Sequence, residues 1–260
     1  MAKSVVWIAH RGLLKGCAEN TRRAFQNACA AGFNQLETDL RVTRDGHIVL
    51  CHDDSLARLC GIDDRPSTMT RANLEGLSAS DGGSLFFFDQ FVEEFAGHAW
   101  ILDIKKETGL LAIRTLHAWS QKRGTERWLL GNARFLVWTA DQRRELLRSF
   151  PEAVLLPARA ECWRAGLANL VGLTARLAGI RAGATYALPP RLGRVLLYTP
   201  EIVARYKEAG ARVMAYLPPS EADVEMALSA GVDELLMDWL PKARASTWVS
   251  SEGWIGGSRG

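Results

Sequence analysis

Two histidines, three carboxylates and two cationic side chains recur at short intervals in the N-terminal part of the chain: His10-Arg11, Glu37-x-Asp39, His52 and Asp103-x-Lys105. In a β-strand, residues two apart project from the same face, so Glu37 shares a face with Asp39 and Asp103 shares one with Lys105. Unpaired carboxylates are too costly to leave in a dry core. Three that converge repel one another unless a cation sits among them. Oxygen-only ligands of this kind suit one hard divalent ion, Mg²⁺ or Ca²⁺, and suit zinc poorly. Taken singly, each residue has an ordinary explanation. An E-x-D pair is commonly a surface ion pair, Lys105 would serve as the partner of Asp103, and a lone His10 would be a satisfied core histidine. Their joint placement at consecutive strand ends points instead to one site.

The elements that must position these residues alternate along nearly the whole chain. Residues 5–10 read as a buried strand, rich in β-branched residues. Residues 21–31 read as a helix, capped by Asn20 or Thr21 and stopped at Gly32. A second strand over 35–41 runs on to a turn at Asp45-Gly46, a hairpin signal, and returns over 47–52. Residues 53–97 are less regular and contain a cluster of five phenylalanines. They read as a loop-rich insertion after the second strand, with the phenylalanines packing more readily than binding a ligand. Strands over 100–105, 135–139, 153–157, 185–188, 212–217 and 234–238 then alternate with helices over 108–122, 141–150, 162–178, 200–209 and 221–230. This is the pattern of an α/β protein of the TIM type, a (β/α)8 barrel, whose site lies at the C-terminal ends of the strands. An open doubly wound sheet is the structural alternative. Residues 1–243 are expected to form a single domain, and the Gly/Ser-rich stretch 244–260 a flexible tail.

Bulk properties remove several function classes. With 48% hydrophobic and 23% charged residues, the 260-residue chain has the composition of an ordinary globular protein. A net charge of +3 with scattered arginines gives no case for nucleic acid as a partner. Five cysteines without C-x-x-C spacing argue against a disulfide framework and a zinc site. No apolar run reaches the ~18 residues of a membrane span. The N-terminus lacks the pattern of a signal peptide, so the expected location is the cytoplasm. No G-x-G-x-x-G or G-K-[ST] follows a strand, which removes the usual nucleotide-binding reading.

The segments Ala9-His10-Arg11-Gly12, Glu19-Asn20-Thr21, Glu37-Thr38-Asp39, Asp45-Gly46-His47-Ile48-Val49, His52-Asp53 and Leu102-Asp103-Ile104-Lys105 together resemble the glycerophosphodiester phosphodiesterase family. So does the closing stretch Ala230–Asp238. The resemblance implies a TIM-type barrel that hydrolyses a small-molecule phosphodiester with one bound divalent metal. It implies that Glu37, Asp39 and Asp103 hold the metal, that His10 and His52 form the general acid/base pair, and that Arg11 and Lys105 neutralise the phosphate oxygens. Glu19 and Asn20 match the family's P-E-N-T motif and would support the loop around the site. Such roles fit the reaction. A phosphodiester anion needs charge neutralisation, a proton acceptor for the nucleophile and a proton donor for the leaving alkoxide.

Departures from the family pattern are confined to a few positions. Asp103 stands where the family usually has Glu, and the related sphingomyelinase D-like enzymes look similar in using Asp. Ala18 replaces the usual Pro of P-E-N-T. Tyr216-Leu217-Pro218 stands for a Trp-Thr pair, placing Tyr216 in the substrate pocket, and Trp138-Thr139 stands for a Ser-Phe. These changes fall where the alcohol part of the substrate should lie. A sugar phosphodiester, such as an agrocinopine-type opine, is therefore an alternative substrate. A phosphodiester-forming transferase or lyase, and a non-catalytic phosphodiester-binding barrel, are the alternatives of other classes.

Overall fold

The computed structural model describes residues 5–172 and 175–242, with residues 175 and 176 described by their main chain only; the expected tail at 244–260 lies outside them. Among the described residues the strands are β1 (Val6–His10), β2 (Gln35–Val42), β3 (Ile48–Leu50), β4 (Ala99–Ile104), β5 (Ala133–Val137), β6 (Val154–Leu155), β7 (Thr185–Leu188), β8 (Arg191–Leu192), β9 (Val195–Leu196), β10 (Arg212–Tyr216) and β11 (Glu234–Met237). The helices are α1 (Arg22–Ala30), α2 (Ala57–Cys60), α3 (Arg71–Glu75), α4 (Phe88–Glu94), α5 (Gly109–Arg123), α6 (Glu126–Asn132), α7 (Ala140–Ser149), α8 (Arg159–Leu170), α9 (Ala175–Ala178), α10 (Pro200–Glu208) and α11 (Glu221–Ala230). Eight strands pair in parallel in the order β6-β5-β4-β2-β1-β11-β10-β7, while β3 returns antiparallel on β2. This is the TIM-type barrel, curled so that its seam falls between the two-residue β6 and β7.

Register shows how the barrel interior is layered. Pairing of His10 with Glu37, Glu37 with Ile101, Asp39 with Asp103 and Ile101 with Arg134 puts alternate residues of each strand on one inner face. At the floor, buried Glu234 takes a bidentate pair from Arg134 (3.0 and 2.8 Å), which also reaches Thr185 and Gln35, and Arg212 adds a contact at 3.1 Å. Above it Ile8, Ile101, Met214 and Leu236 form a dry plug. Only above that plug do the charged residues of the mouth begin. Arg134→Met would strand Glu234 with the half-exposed Arg212 alone. The expected cost is roughly 3 kcal/mol, a fall in melting temperature of about 6–12 °C, with turnover by the folded fraction unchanged. Calorimetry beside an activity assay checks it, and an unchanged melting temperature would deny the floor its structural role.

Helices cover the outer face. α1 forms because the Thr21 side chain accepts from the Ala24 N–H, and it buries Ala24, Phe25 and Ala28; the expected cap is thus Thr21. Gly12, at φ +87°, lies so close to α1 that an added Cβ would stand 2.6 Å from the Ala24 main chain. This close approach fixes the loop after β1 against the helix.

Several expectations need correction. The strand expected over 135–139 is Ala133–Val137, because Thr139 instead caps α7, accepting from Gln142 N while Gln142 reaches back to Thr139 N. The helix expected over 162–178 starts three residues earlier and ends at Leu170, with Gly172 at φ +74° beyond it and α9 following as a separate turn. The strand over 153–157 shrinks to two residues, and α6 and the β8–β9 hairpin were not foreseen. Within residues 53–97 the chain forms short helices instead of open loop. Phe86, Phe88, Phe91 and Phe95 join the main core, Phe25 meeting Phe91 edge-on at 4.8 Å. Phe87 belongs with Val49, Cys51, Leu56 and Leu59 to a second, smaller core. All five phenylalanines are packing residues.

Candidate active site

The mouth is assembled from the ends of β1, β2, β4 and β5 and the segment after β3. Glu37, Asp39 and Asp103 are buried, with one oxygen of each within 4.8 Å of the others. Asp39 is the most heavily neutralised. Lys105 Nζ lies 2.6 Å from its Oδ1, and Arg11 Nε (3.1 Å) and the Asn20 amide (2.7 Å) reach its Oδ2. Burial opposes its charge, but Lys105 and Arg11 outweigh it and hold Asp39 below the usual carboxylate range. Lys105 also donates to Asp103 Oδ2 at 2.5 Å. Its ammonium is disfavoured by burial, yet the two carboxylates keep it charged above its ordinary value.

Glu37 is different. It accepts from the Arg11 N–H at 3.1 Å and meets His10 Nε2 at 3.9 Å, but no Lys or Arg pairs with it among the described residues. Burial, then Asp39 and Asp103, push its pKa well above the usual range. Burial also lifts Asp103, with Lys105 opposing. A buried carboxylate trio with one member lacking a counter-charge fits a hard divalent cation.

The two histidines sit in contrasting environments. His10 is buried, and desolvation, with Arg11 adding, lowers its pKa to about 4, which keeps the ring neutral. His52 is about a third exposed, and its Nδ1 lies 2.7 Å from Asp53 Oδ1. Asp53 is held at a pKa of about 2, burial being outweighed by hydrogen bonds from Arg58 and His52. An ionised Asp53 can only accept, so Nδ1 donates and Nε2 is left free to exchange a proton. Arg58 links the two halves of the mouth, reaching Asp53 at 2.5 Å and Glu19 at 2.6 Å, while Glu19 accepts from Arg11 at 3.3 Å. Arg41 anchors the His52 carbonyl at 2.7 Å and pairs with Asp54 and Glu107.

Backbone strain concentrates here. Among the described residues the non-glycine positions with positive φ are Arg11 (56°), Asn20 (55°) and Leu217 (46°). Arg11 directly follows His10, Asn20 supports Asp39 and Leu217 follows Tyr216. Left-handed backbone at such residues costs about 1–3 kcal/mol each and is held where a site needs it. For Arg11 the hold is its N–H on the Glu37 carbonyl and its own carbonyl accepting from Asn20 N.

The sequence profile of the glycerophosphoryl diester phosphodiesterase family matches residues 10–240. The chain belongs to that family. Members are phosphoric diester hydrolases. A relative described as a probable glycerophosphodiester phosphodiesterase 2 of Mycobacterium tuberculosis is 28% identical over 240 residues, covering 89% of this chain and 86% of its own. Among solved structures, a glycerophosphoryl diester phosphodiesterase domain from M. tuberculosis shares the fold at TM-score 0.78 and 17% identity, over 95% of this chain and all of that one. An Oleispira antarctica phosphodiesterase, solved with the product sn-glycerol-3-phosphate, does so at TM-score 0.69 and 18% identity, over 94% of this chain and 96% of that one.

Against the family pattern, the structure brings His10, Arg11, Glu37, Asp39, Asp103 and Lys105 together. Tyr216 stands at the same mouth, 44% exposed, its hydroxyl pKa pushed up by burial first and by Glu37 second. Asn20 and Glu19 support the loop as the motif implies. Trp138 was overlooked as a partner of the carboxylates. Its indole N–H donates to Asp103 Oδ1 at 2.6 Å, and its ring lies 5.7 Å from Lys105 Nζ. Buried Gln142 ties the pair together, accepting from Trp138 N and donating to the Lys105 carbonyl. Arg41 and Arg58 were also missed. Arg41 was readable, since it continues the period-two face of Glu37 and Asp39. Arg58 joins groups far apart in sequence and had no local signal.

Proposed function

We propose that the chain hydrolyses a small glycerophosphodiester to a glycerol phosphate and an alcohol. The observation that carries this reading is the convergence of three buried carboxylates, Arg11, Lys105 and two histidines in contrasting environments on one barrel mouth. Glu37, Asp39 and Asp103 would hold one divalent ion, Mg²⁺ or Ca²⁺. Bound there, the ion would polarise the phosphoryl oxygens and stabilise the charge that develops on them.

The chain's own residues supply the rest. Arg11 and Lys105 present fixed positive charge to the phosphate anion in a largely desolvated mouth. His10, held neutral by burial, accepts the proton of the attacking nucleophile. His52, whose ring Asp53 orients through Nδ1, donates to the leaving alkoxide. Tyr216 lines the pocket on the alcohol side. Residues 1–243 act in this scheme as one catalytic unit, with the segment after β3 carrying His52 and 53–97 supplying the Asp53 and Arg58 that hold it. The substrate is a small molecule, as the product bound to the Oleispira relative also suggests. No described helix is long and apolar enough to cross a membrane. All five cysteines are free thiols, which suits the reducing cytoplasm, and we place the protein there.

A second reading concerns the alcohol. Trp138 and Tyr216, 46% and 44% exposed, give the mouth two aromatic faces with polar tips, which suit a sugar ring as well as glycerophospho-alcohols. A panel of glycerophosphocholine, glycerophosphoethanolamine, glycerophosphoglycerol and sugar phosphodiesters separates these readings. Turnover of the glycerol esters supports the first. Turnover confined to sugar esters supports the second. A cyclic phosphate or transfer product in place of a monoester would turn the assignment to a lyase or transferase.

Trp138 compensates for the missing methylene of Asp103 by fixing its carboxylate from one side while Lys105 holds the other. Loss of a group that orients a metal ligand typically costs about 10–100-fold in metal affinity. Trp138→Phe is expected to weaken Mg²⁺ or Ca²⁺ binding within that range, by titration calorimetry, with the melting temperature of the metal-free protein nearly unchanged. Equal metal affinity in the variant would show that the indole N–H does not position Asp103.

A further inference from the structure

A marked excess of positive charge lies away from the carboxylate cluster. Residues 159–198 contain six arginines against one acid, Glu161, a net +5. Since the whole chain carries +3, the remainder sums to −2. The single acid is taken up by Arg181 at 3.2 Å. Arg159, Arg191 and Arg194 are exposed and form no ion pair among the described residues.

The same stretch exposes apolar surface of a particular kind. Trp163, Leu167 and Val171 follow one another at four-residue intervals along α8 and its C-cap, so they share one helix face. They are 44%, 51% and 73% exposed, although the helix's other face buries Ala165, Ala168 and Asn169. The β8–β9 hairpin adds Val195, 47% exposed, between Arg194 and the chain's return to α10. Topology places the hairpin and the start of α8 at the same end of the barrel as the mouth. Both follow the C-terminal ends of parallel strands, β7 and β6, which flank the seam.

An exposed Trp with aliphatic residues on one helix face, in a stretch rich in exposed arginines, is the pattern of an element lying in a lipid headgroup region. Arginine stems extend along apolar surface while the guanidinium reaches the headgroups. A second copy of this chain is a poor occupant, because a two-fold interface would set the exposed arginines of one copy against those of the other. We propose that the outer face of α8, with the β8–β9 hairpin, is a peripheral docking surface for an anionic phospholipid bilayer. Docking there would hold the barrel wall against the lipid surface, with the hairpin and the start of α8 bringing the mouth beside the headgroup layer.

The test is co-sedimentation of the intact protein with vesicles of phosphatidylcholine alone and of phosphatidylcholine mixed with phosphatidylglycerol. Binding to the anionic vesicles should be at least about tenfold tighter and should fade as salt is raised. Trp163→Ser with Leu167→Ser, and separately Arg191→Glu with Arg194→Glu, should each weaken it about tenfold or more. All these side chains are exposed, so both variants should keep the parent's melting temperature and its turnover of a water-soluble phosphodiester. No binding to either vesicle, equal binding to both, or undiminished binding by the variants would overturn the proposal. So would a concentration-dependent dimer, seen in sedimentation velocity, that Leu167→Glu abolishes, since the apolar face would then belong to a second copy.

Discussion

Replacing Glu37 by Gln should raise the melting temperature of the metal-free protein by a few degrees and lower turnover by about three orders of magnitude. The two effects have opposite signs because they have different origins. In the metal-free protein Glu37 is a buried carboxylate beside Asp39 and Asp103, with no Lys or Arg paired to it among the described residues. Its pKa is raised by burial first and by those neighbours second. A carboxyl whose folded pKa lies above its unfolded value makes stability fall as pH rises through that interval. The metal-free protein should therefore lose stability as pH climbs above the ordinary glutamate range, and the Gln variant should not. Glu37→Gln leaves the size of the side chain and the acceptor for the Arg11 N–H in place. What it removes is one charge of the three that would hold the ion. Thermal melts across pH, with and without divalent metal, separate the contributions. Loss of melting temperature in the metal-free Gln variant would mean that Glu37 is a structural ion-pair partner, and the metal reading would fail.

The histidines give the second large effect, and it depends on the substrate. His52→Ala should cut kcat for a glycerophospho-alcohol by about 10²–10⁴, but far less for a p-nitrophenyl ester, whose leaving group needs no proton. His10→Ala should impair both substrates alike, because the nucleophile must lose its proton in either case. The assignment follows from environment. Burial, with Arg11, lowers the His10 pKa to about 4 and leaves the ring neutral, so that it has a lone pair with which to accept a proton. Asp53, fixed by Arg58, takes the His52 Nδ1 and leaves Nε2 to face the leaving group. Asp53→Asn should fall between wild type and His52→Ala, with the loss mainly in kcat, since the asparagine keeps the contact but not the charge. Equal impairment of both substrates in His52→Ala would reverse or remove the acid assignment.

The carboxylates and their cations were legible in the sequence because they obey a local rule. Glu37-x-Asp39 and Asp103-x-Lys105 lie two apart on buried parallel strands, and both prove to share one inner face. The barrel was legible for a similar reason, since alternating strand and helix periods with glycine stops survive without tertiary information. Trp138 escaped because residues 135–139 look like one β-rich run. The Thr139-x-x-Gln142 spacing, a capping signal, already marked the strand's end and freed Trp138 to face Asp103. The split between α8 and α9 was signalled only by Gly172, whose left-handed backbone ends the helical pattern that sequence periodicity carried onward. The Asp53–Arg58–Glu19–Arg11 chain had no such trace. It spans residues up to 47 positions apart in number, and only the packing of Cys51, Leu56 and Leu59 into the insertion's own core brings Arg58 to the mouth.

The most direct test of the central claim is ³¹P NMR of glycerophosphocholine incubated with chelator-stripped protein, before and after Mg²⁺ or Ca²⁺ is restored. The site described here predicts no change without metal and conversion of the diester resonance to that of a glycerol phosphate monoester once metal is added. Hydrolysis that proceeds equally in excess chelator would contradict a catalytic ion held by Glu37, Asp39 and Asp103.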